Sequence, residues 1–236
     1  MTELKMALKK FNIPDSQETL EKFRVYMERV LEWNEKVNLT AITDKNDFIR
    51  KHFIDSLCCL ADGRFISSAS VVDVGTGAGF PGLPLAIVCP EKKFLLIDSL
   101  NKRIRILNEI IGELGLENVT AIHGRAEELA RRDEYREAFD ICVSRAVSRM
   151  SVLSEYCLPF IRIGGYLAAY KGPDAGAEME EAAGAVRRLG GKADGIFTTE
   201  MTEFDINHNI VFIKKVKSTP KAYPRKAGTP EKNPLK

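Results

Sequence analysis

Val71-Val72-Asp73-Val74-Gly75-Thr76-Gly77-Ala78-Gly79-Phe80-Pro81-Gly82 is the stretch on which the reading of this chain turns. A β-branched apolar run, preceded by the loop-like Ser67-Ser68-Ala69-Ser70, passes into glycines at alternate positions and then a proline suited to a first helical turn. The pattern is strand, tight loop, helix. Glycines allow the sharp turn and the close approach of a ligand, while the helix that follows offers unpaired N–H groups. The loop is expected to cradle a small molecule.

Spacing narrows the choice of molecule. A dinucleotide-binding G-x-G-x-x-G would need its third glycine at position 80, where Phe80 stands. The pattern present is D-x-G-x-G-x-G, through Asp73, Gly75, Gly77 and Gly79, and it resembles motif I of Rossmann-like S-adenosylmethionine-dependent methyltransferases. About twenty residues on, Lys93-Phe94-Leu95-Leu96-Ile97 reads as a second buried strand ending on Asp98. An acidic residue in that position binds the ribose hydroxyls of adenosine cofactors. Ser99 is expected to cap the next helix, which carries Ile104, Leu107, Ile111 and Leu114 on one face.

Alternation of strand and helix continues. Strands are predicted over residues 118–122, 140–144 and 164–170, a helix over 177–189, and two further strands over 195–202 and 208–216, close enough to form a hairpin that brings the last strand in antiparallel. Upstream, Leu4, Leu8 and Phe11 mark a first helix broken at Ile13-Pro14. A longer helix is predicted from Asp15, with Glu18 completing a capping box, and another from an Asp44 cap through Leu60 to Gly63. On that last helix His52, Asp55, Ser56 and Cys59 share a stripe, so His52 is expected to bond Asp55 or Ser56. The three cannot form a hydrolase triad, whose members must converge from different elements. The predicted fold is α/β: a Rossmann-like, mostly parallel sheet with an antiparallel last strand over residues 64–216, an N-terminal helical region over 1–63, and a basic tail over 217–236.

Ligands bind such sheets outside the carboxyl ends of the strands, which places Gly75 to Phe80, Asp98 to Leu100, Arg125 to Glu127, Ser144, Arg145 and Lys171 around one site. Five cysteines without C-x-x-C spacing or a histidine cluster indicate reduced, buried thiols and no metal. No apolar run reaches eighteen residues, and Met1-Thr2-Glu3-Leu4-Lys5 lacks a secretory apolar segment, so a cytoplasmic, membrane-free protein is expected. The net charge of +2 conceals an asymmetry: residues 214–236 hold eight Lys or Arg against Glu231, leaving 27 basic and 32 acidic groups elsewhere, or +7 in the tail against −5 in the body. A polyanion would therefore be met at the C-terminal end, although four prolines there also fit a solvated tail without a partner.

Taken together, Asn38-Leu39-Thr40, His52-Phe53-Ile54-Asp55-Ser56-Leu57, the glycine loop, Asp98-Ser99-Leu100-Asn101-Lys102-Arg103, Arg125-Ala126-Glu127-Glu128, Ser144-Arg145-Ala146 and Arg225-Lys226-Ala227-Gly228-Thr229-Pro230 resemble the bacterial family called ribosomal RNA small subunit methyltransferase G, or glucose-inhibited division protein B. The likeness runs from about residue 12 to the C-terminus. It implies methyl transfer from S-adenosylmethionine to N7 of one guanine of 16S ribosomal RNA, naked or in the 30S subunit; a monomer is expected. It implies Gly75, Gly77, Gly79 and Phe80 around the cofactor, Asp98 on its ribose with Ser99 and Leu100 alongside, Ala126 and Glu127 bordering its adenine, and Arg145 at the cofactor–substrate junction. Arg145 and Arg125 are the expected catalytic pair, gripping guanine O6 or a phosphate. Asn38, His52, Lys171, Arg225 and Lys226 are the expected RNA contacts. Two alternatives stay open: a methyltransferase of the same fold acting on a small molecule or protein, and a non-catalytic nucleotide-binding regulator.

Overall fold

In the computed structural model, which describes residues 1–236, the run that opens the glycine loop becomes the central strand because apolar side chains cover both of its faces. This strand, β1 (Ser70–Val74), pairs in parallel with β2 (Lys93–Asp98) on one side and with β4 (Phe139–Arg145) on the other. β3 (Val119–His123) extends the sheet beyond β2, and β5 (Ile161–Lys171) extends it beyond β4, both in parallel. The remaining strands, β6 (Gly191–Met201) and β7 (Ile206–Lys215), form the expected hairpin. β7 inserts antiparallel between β5 and the edge strand β6, giving the order β3-β2-β1-β4-β5-β7-β6. An antiparallel strand begins at the rim where its parallel neighbours end. That is how a residue from the start of β7 reaches the carboxyl edge.

Apolar clusters fill both faces of the sheet. One holds the N-terminal helices, the helix Gly82–Val88 and the helix Asn101–Glu113; the other holds Met150–Cys157, Ala175–Arg188 and Leu235 from the end of the chain. The long N-terminal helix spans Gln17–Asn34 and is capped by Ser16, whose side chain accepts from the Thr19 N–H, so the predicted start at Asp15 shifts inward. Glu18 pairs with Lys22 instead of closing a capping box. The fully buried Tyr26 on this helix donates its hydroxyl to the Ala78 carbonyl at 2.7 Å, tying the helical region to the glycine loop.

Two other expected caps are corrected. Asp44 does cap its helix, accepting from the Asn46 and Asp47 N–H groups, but Gly63 closes nothing: it opens the short helix Gly63–Ile66 under an Asp62 cap. Ser99 does not cap Asn101–Glu113, which has no side-chain cap; the Asp98 carboxylate accepts from the N–H of Leu100, the residue just before the helix, at 2.8 Å. Within the helix begun at Lys45, Ile49–Ile54 forms a π turn. The wider winding breaks the i, i+3 spacing assumed for His52 and Asp55. His52 turns toward Thr40 and Asp55 toward β7, with no hydrogen bond between them, whereas Ser56, the other expected partner, does donate its hydroxyl to the His52 carbonyl at 2.5 Å.

The basic tail is strapped to the body. Arg225 forms a bidentate pair with the fully buried Glu155, the Gly228 N–H donates to Glu127, and Leu235 is buried. Lys215 is buried too, donating to the Leu158 carbonyl and the Thr219 hydroxyl, so neither it nor Arg225 stands free for a polyanion. No helix is long and apolar enough to cross a membrane.

Candidate functional site

Two cavities open at the carboxyl edge, separated by Ala146. The first, about 370 Å³, is lined by Val74 and Gly75 at the end of β1, Asp98, Ser99 and Leu100 at the end of β2, Arg125, Ala126 and Glu127 after β3, and Val147 and Tyr156 after β4. Gly75 adopts φ 76°, and a Cβ on it would stand 2.5 Å from a Val147 methyl, so glycine is demanded twice over. Its neighbours serve the loop itself. The Gly77 N–H donates to Asp98 at 3.0 Å, and Gly79 makes room for the Tyr26 hydroxyl, 2.5 Å from where its Cβ would be. Asp73 closes the base of the loop by accepting from the Thr76 hydroxyl and the Gly82 N–H. Burial pushes its carboxyl up to about 7 in spite of those two bonds.

This cavity fits S-adenosylmethionine. Asp98 is buried, yet each of its oxygens accepts a single backbone N–H, from Leu100 or Gly77, which leaves lone pairs for ribose hydroxyls. Leu100 is 51% exposed at the cavity rim, an apolar surface of the kind an adenine face covers. The bare backbone at Gly75 supplies close approach. Glu127 borders the cavity from behind, held by the Gly228 N–H at 2.9 Å.

The second cavity, about 410 Å³, is lined by Lys51, His52, Asp55, Arg145, Ala146, Tyr170, Lys171, Gly172 and His208. Ala146, shared with the first, holds φ 57°, a left-handed conformation that a β-carbon disfavours and that clusters at functional sites. Arg145 organises this cavity. Its guanidinium donates to the Lys51 carbonyl at 2.9 Å, to Asp55 at 2.5 Å and to His52 Nδ1 at 3.1 Å. Three of five N–H groups are thereby committed and two remain without a partner.

Accepting at Nδ1 makes the His52 ring donate from Nε2, to the Thr40 hydroxyl at 2.7 Å. The ring also stacks on Phe80, centroids 4.3 Å apart. Burial, aided by the charge of Arg145, lowers the His52 pKa to about 3. It is neutral at physiological pH, with both nitrogens occupied. Asp55, 2% exposed, binds Arg145 through one oxygen and His208 through the other. Burial would raise its pKa, but the His208 hydrogen bond and the Arg145 charge outweigh that and hold it below the usual value, while the bond to Asp55 raises His208.

A pH effect follows from His52. Folding keeps it neutral, so the unfolded chain binds a proton that the native chain refuses, and the stability this confers is complete above pH 6.5 and is lost as pH falls toward 3. Chemical denaturation from about pH 7.5 to about pH 5 is expected to cost the wild type about 1–2 kcal/mol more than H52Q. Equal losses would show that the ring is not held neutral.

The structure thus brings Gly75, Asp98, Ser99, Leu100, Arg125, Ala126 and Glu127 to the first cavity and His52, Arg145 and Lys171 to the second. Phe80 lies behind both, under His52 and Arg145. Lys171 donates to the Ser148 carbonyl and to Glu178. Asn38 and Lys226 are exposed outside both linings. Val147, Tyr156 and His208 were missed by the sequence reading. Only the strand order brings His208 to this rim.

A Rossmann-like sheet whose glycine loop and carboxylate-edged cavity fit this cofactor defines an S-adenosylmethionine-dependent methyltransferase. Solved structures agree on the fold: TYW2 of M. jannaschii in complex with AdoMet superposes with a TM-score of 0.54 at 18% identity, over 76% of this chain and 80% of that one. The [4+2]-cyclase SpnF superposes at 0.51 and 16%, over 69% and 81%, so the fold alone does not dictate the reaction. Sequence supplies the rest. The family described as GidB, rRNA small subunit methyltransferase G, matches residues 19–206. Relatives called ribosomal RNA small subunit methyltransferase G in Clostridium perfringens strain 13 and Clostridium tetani are 48% and 52% identical, over 99% of this chain and 98% of the first relative, and 91% and 90% for the second. The chain belongs to the family of rRNA small subunit methyltransferase G.

Proposed function

We propose that the protein methylates N7 of one guanine of 16S ribosomal RNA, working as a monomer in the cytoplasm. Support comes from the junction of the two cavities at Ala146, one fitted to the cofactor and the other lined by Arg145, within a single chain. S-adenosylmethionine supplies an electrophilic methyl group on a sulfonium. Guanine N7 carries an unprotonated lone pair, so no residue need act as general base. His52, held neutral with both nitrogens bonded, accords with that requirement.

What remains for the chain is positioning, which can supply roughly 7–11 kcal/mol of a barrier. Arg145 offers two N–H groups to guanine O6 or a phosphate, Arg125 stands exposed at the cofactor side, and Lys51, exposed and paired with Asp47, is a further cation at the second cavity. Lys226 and Asn38, both exposed, are assigned to RNA contacts further out. Lys171 and Arg225, ion-paired in the free protein, would reach RNA only by exchanging partners.

Purified protein, radiolabelled S-adenosylmethionine and 30S subunits or 16S RNA from cells lacking the protein test this. Label is expected at one guanine, where borohydride and aniline then cleave the chain, because N7 methylation makes the base labile. Label in a metabolite or protein, or RNA that resists cleavage, would refute it.

A further inference from the structure

Arg145 is aimed by a carboxylate that is itself held from a distant part of the chain. Asp55 is 2% exposed, and its side chain could turn about its last bond were only one oxygen anchored. Both are. Oδ2 accepts from Arg145 Nη1 at 2.5 Å, and Oδ1 accepts from His208 Nδ1 at 2.6 Å. His208 comes from the start of β7, two strands away from Arg145 at the end of β4; the registers Arg145↔Tyr170 and Lys171↔Asn209 carry the alignment across β5. Its side chain is 46% exposed and lines the second cavity, with Nε2 as the ring's only free nitrogen.

Two other polar side chains of that cavity are already tied. His52 is bound at both nitrogens, and Lys171 is held by the Ser148 carbonyl and Glu178. Apart from Arg145, His208 is the one side chain of the cavity bonded to the Asp55 carboxylate. It is the second anchor of the carboxylate that orients the guanidinium.

We propose that His208 is a positioning residue for methyl transfer: its Nδ1–H clamps Asp55 Oδ1, so that Oδ2 holds Arg145 in register with the acceptor cavity. This rests on the reading of the second cavity as the site of the acceptor base. A released carboxylate would swing, and small displacements of a positioning group are costly in rate. Asparagine at 208 places a side-chain N–H close to where Nδ1–H stood, whereas alanine removes the donor altogether.

The test compares full-length wild type, H208A and H208N on 30S subunits lacking the modification, with S-adenosylhomocysteine titrated by calorimetry. H208A is expected to lose about tenfold in kcat, while KM for RNA and the affinity for S-adenosylhomocysteine stay within about twofold, because the cofactor cavity lies across Ala146. H208N is expected to recover most of the turnover. Wild-type turnover in H208A overturns the proposal, as does an H208N as slow as H208A, which would implicate the outer ring nitrogen instead of the clamp. Wild-type protein that leaves RNA unlabelled overturns the functional reading itself, a result distinguishable from either.

Discussion

Arg145→Ala is expected to reduce methyl transfer about 100-fold, the order expected for losing charge-assisted contacts and the alignment they enforce. Single-turnover labelling of 30S subunits measures it. The same substitution strips the buried Asp55 of a partner, and breaking a buried pair from one side costs about 3–5 kcal/mol, with the lower end expected since the Arg145 side chain is 15% exposed. Loss of activity could then be mistaken for loss of fold. A double variant, D55N with R145M, separates the two by removing the stranded charge. Its stability should return toward wild type in denaturant titrations while its turnover stays as low as that of R145A. Lysine is expected to help little, because one ammonium on a flexible stem does not reproduce a planar guanidinium spanning the Lys51 carbonyl, Asp55 and His52. Wild-type turnover in R145A would remove this residue from the site.

Deleting residues 217–236 is expected to destabilise the protein before it affects any encounter with RNA. Composition suggests a solvated polycation, but the strap covers Glu155, which is fully buried, and contributes Arg225 as its ion partner. Arg131 and Arg136 donate to carbonyls between Thr219 and Pro224, holding the strap from the other side. Removing it takes the Arg225 pair from Glu155 while opening that carboxylate to water, strips the buried Leu235 from the core at roughly 1.5–3 kcal/mol, and takes away the Gly228 N–H that holds Glu127 at the cofactor cavity. The melting midpoint should fall by roughly 3–12 °C in a chain of this length, and affinity for S-adenosylhomocysteine should weaken alongside. A truncated protein that melts like the wild type but binds RNA with a flatter salt dependence would make the tail an RNA arm and not a strap.

Local patterns carry far in this chain where the chemistry is itself local. The glycine run, the strand before it and the acid that ends the next strand lie within thirty residues, and their roles depend on backbone freedom and short-range hydrogen bonds; Gly75 and Asp98 stand where such rules place them. Alternation of apolar strands with amphipathic helices is enough for a parallel sheet, and the closeness of the last two strands is enough for the hairpin. The errors there are of one or two residues, as at Asp15, where the adjacent Ser16 takes the capping N–H, and at Ser99, where the helix starts without a side-chain cap.

The second cavity was decided by packing. A π turn, invisible in the spacing of side chains, separates His52 from Asp55, and the insertion of β7 next to β5 delivers His208 to a carboxylate 153 positions away in sequence. The tail shows the same division: counting charges treats Arg225 and Lys215 as free cations, whereas burial makes an unpaired charge so costly that each ends on an internal partner. Periodicity and motif spacing report interactions between neighbours along the chain. Which distant charge is paired depends on the free energy of desolvation, and which loop glycine lines the cavity and which abuts Tyr26 depends on packing, both settled only once the sheet has brought those groups together.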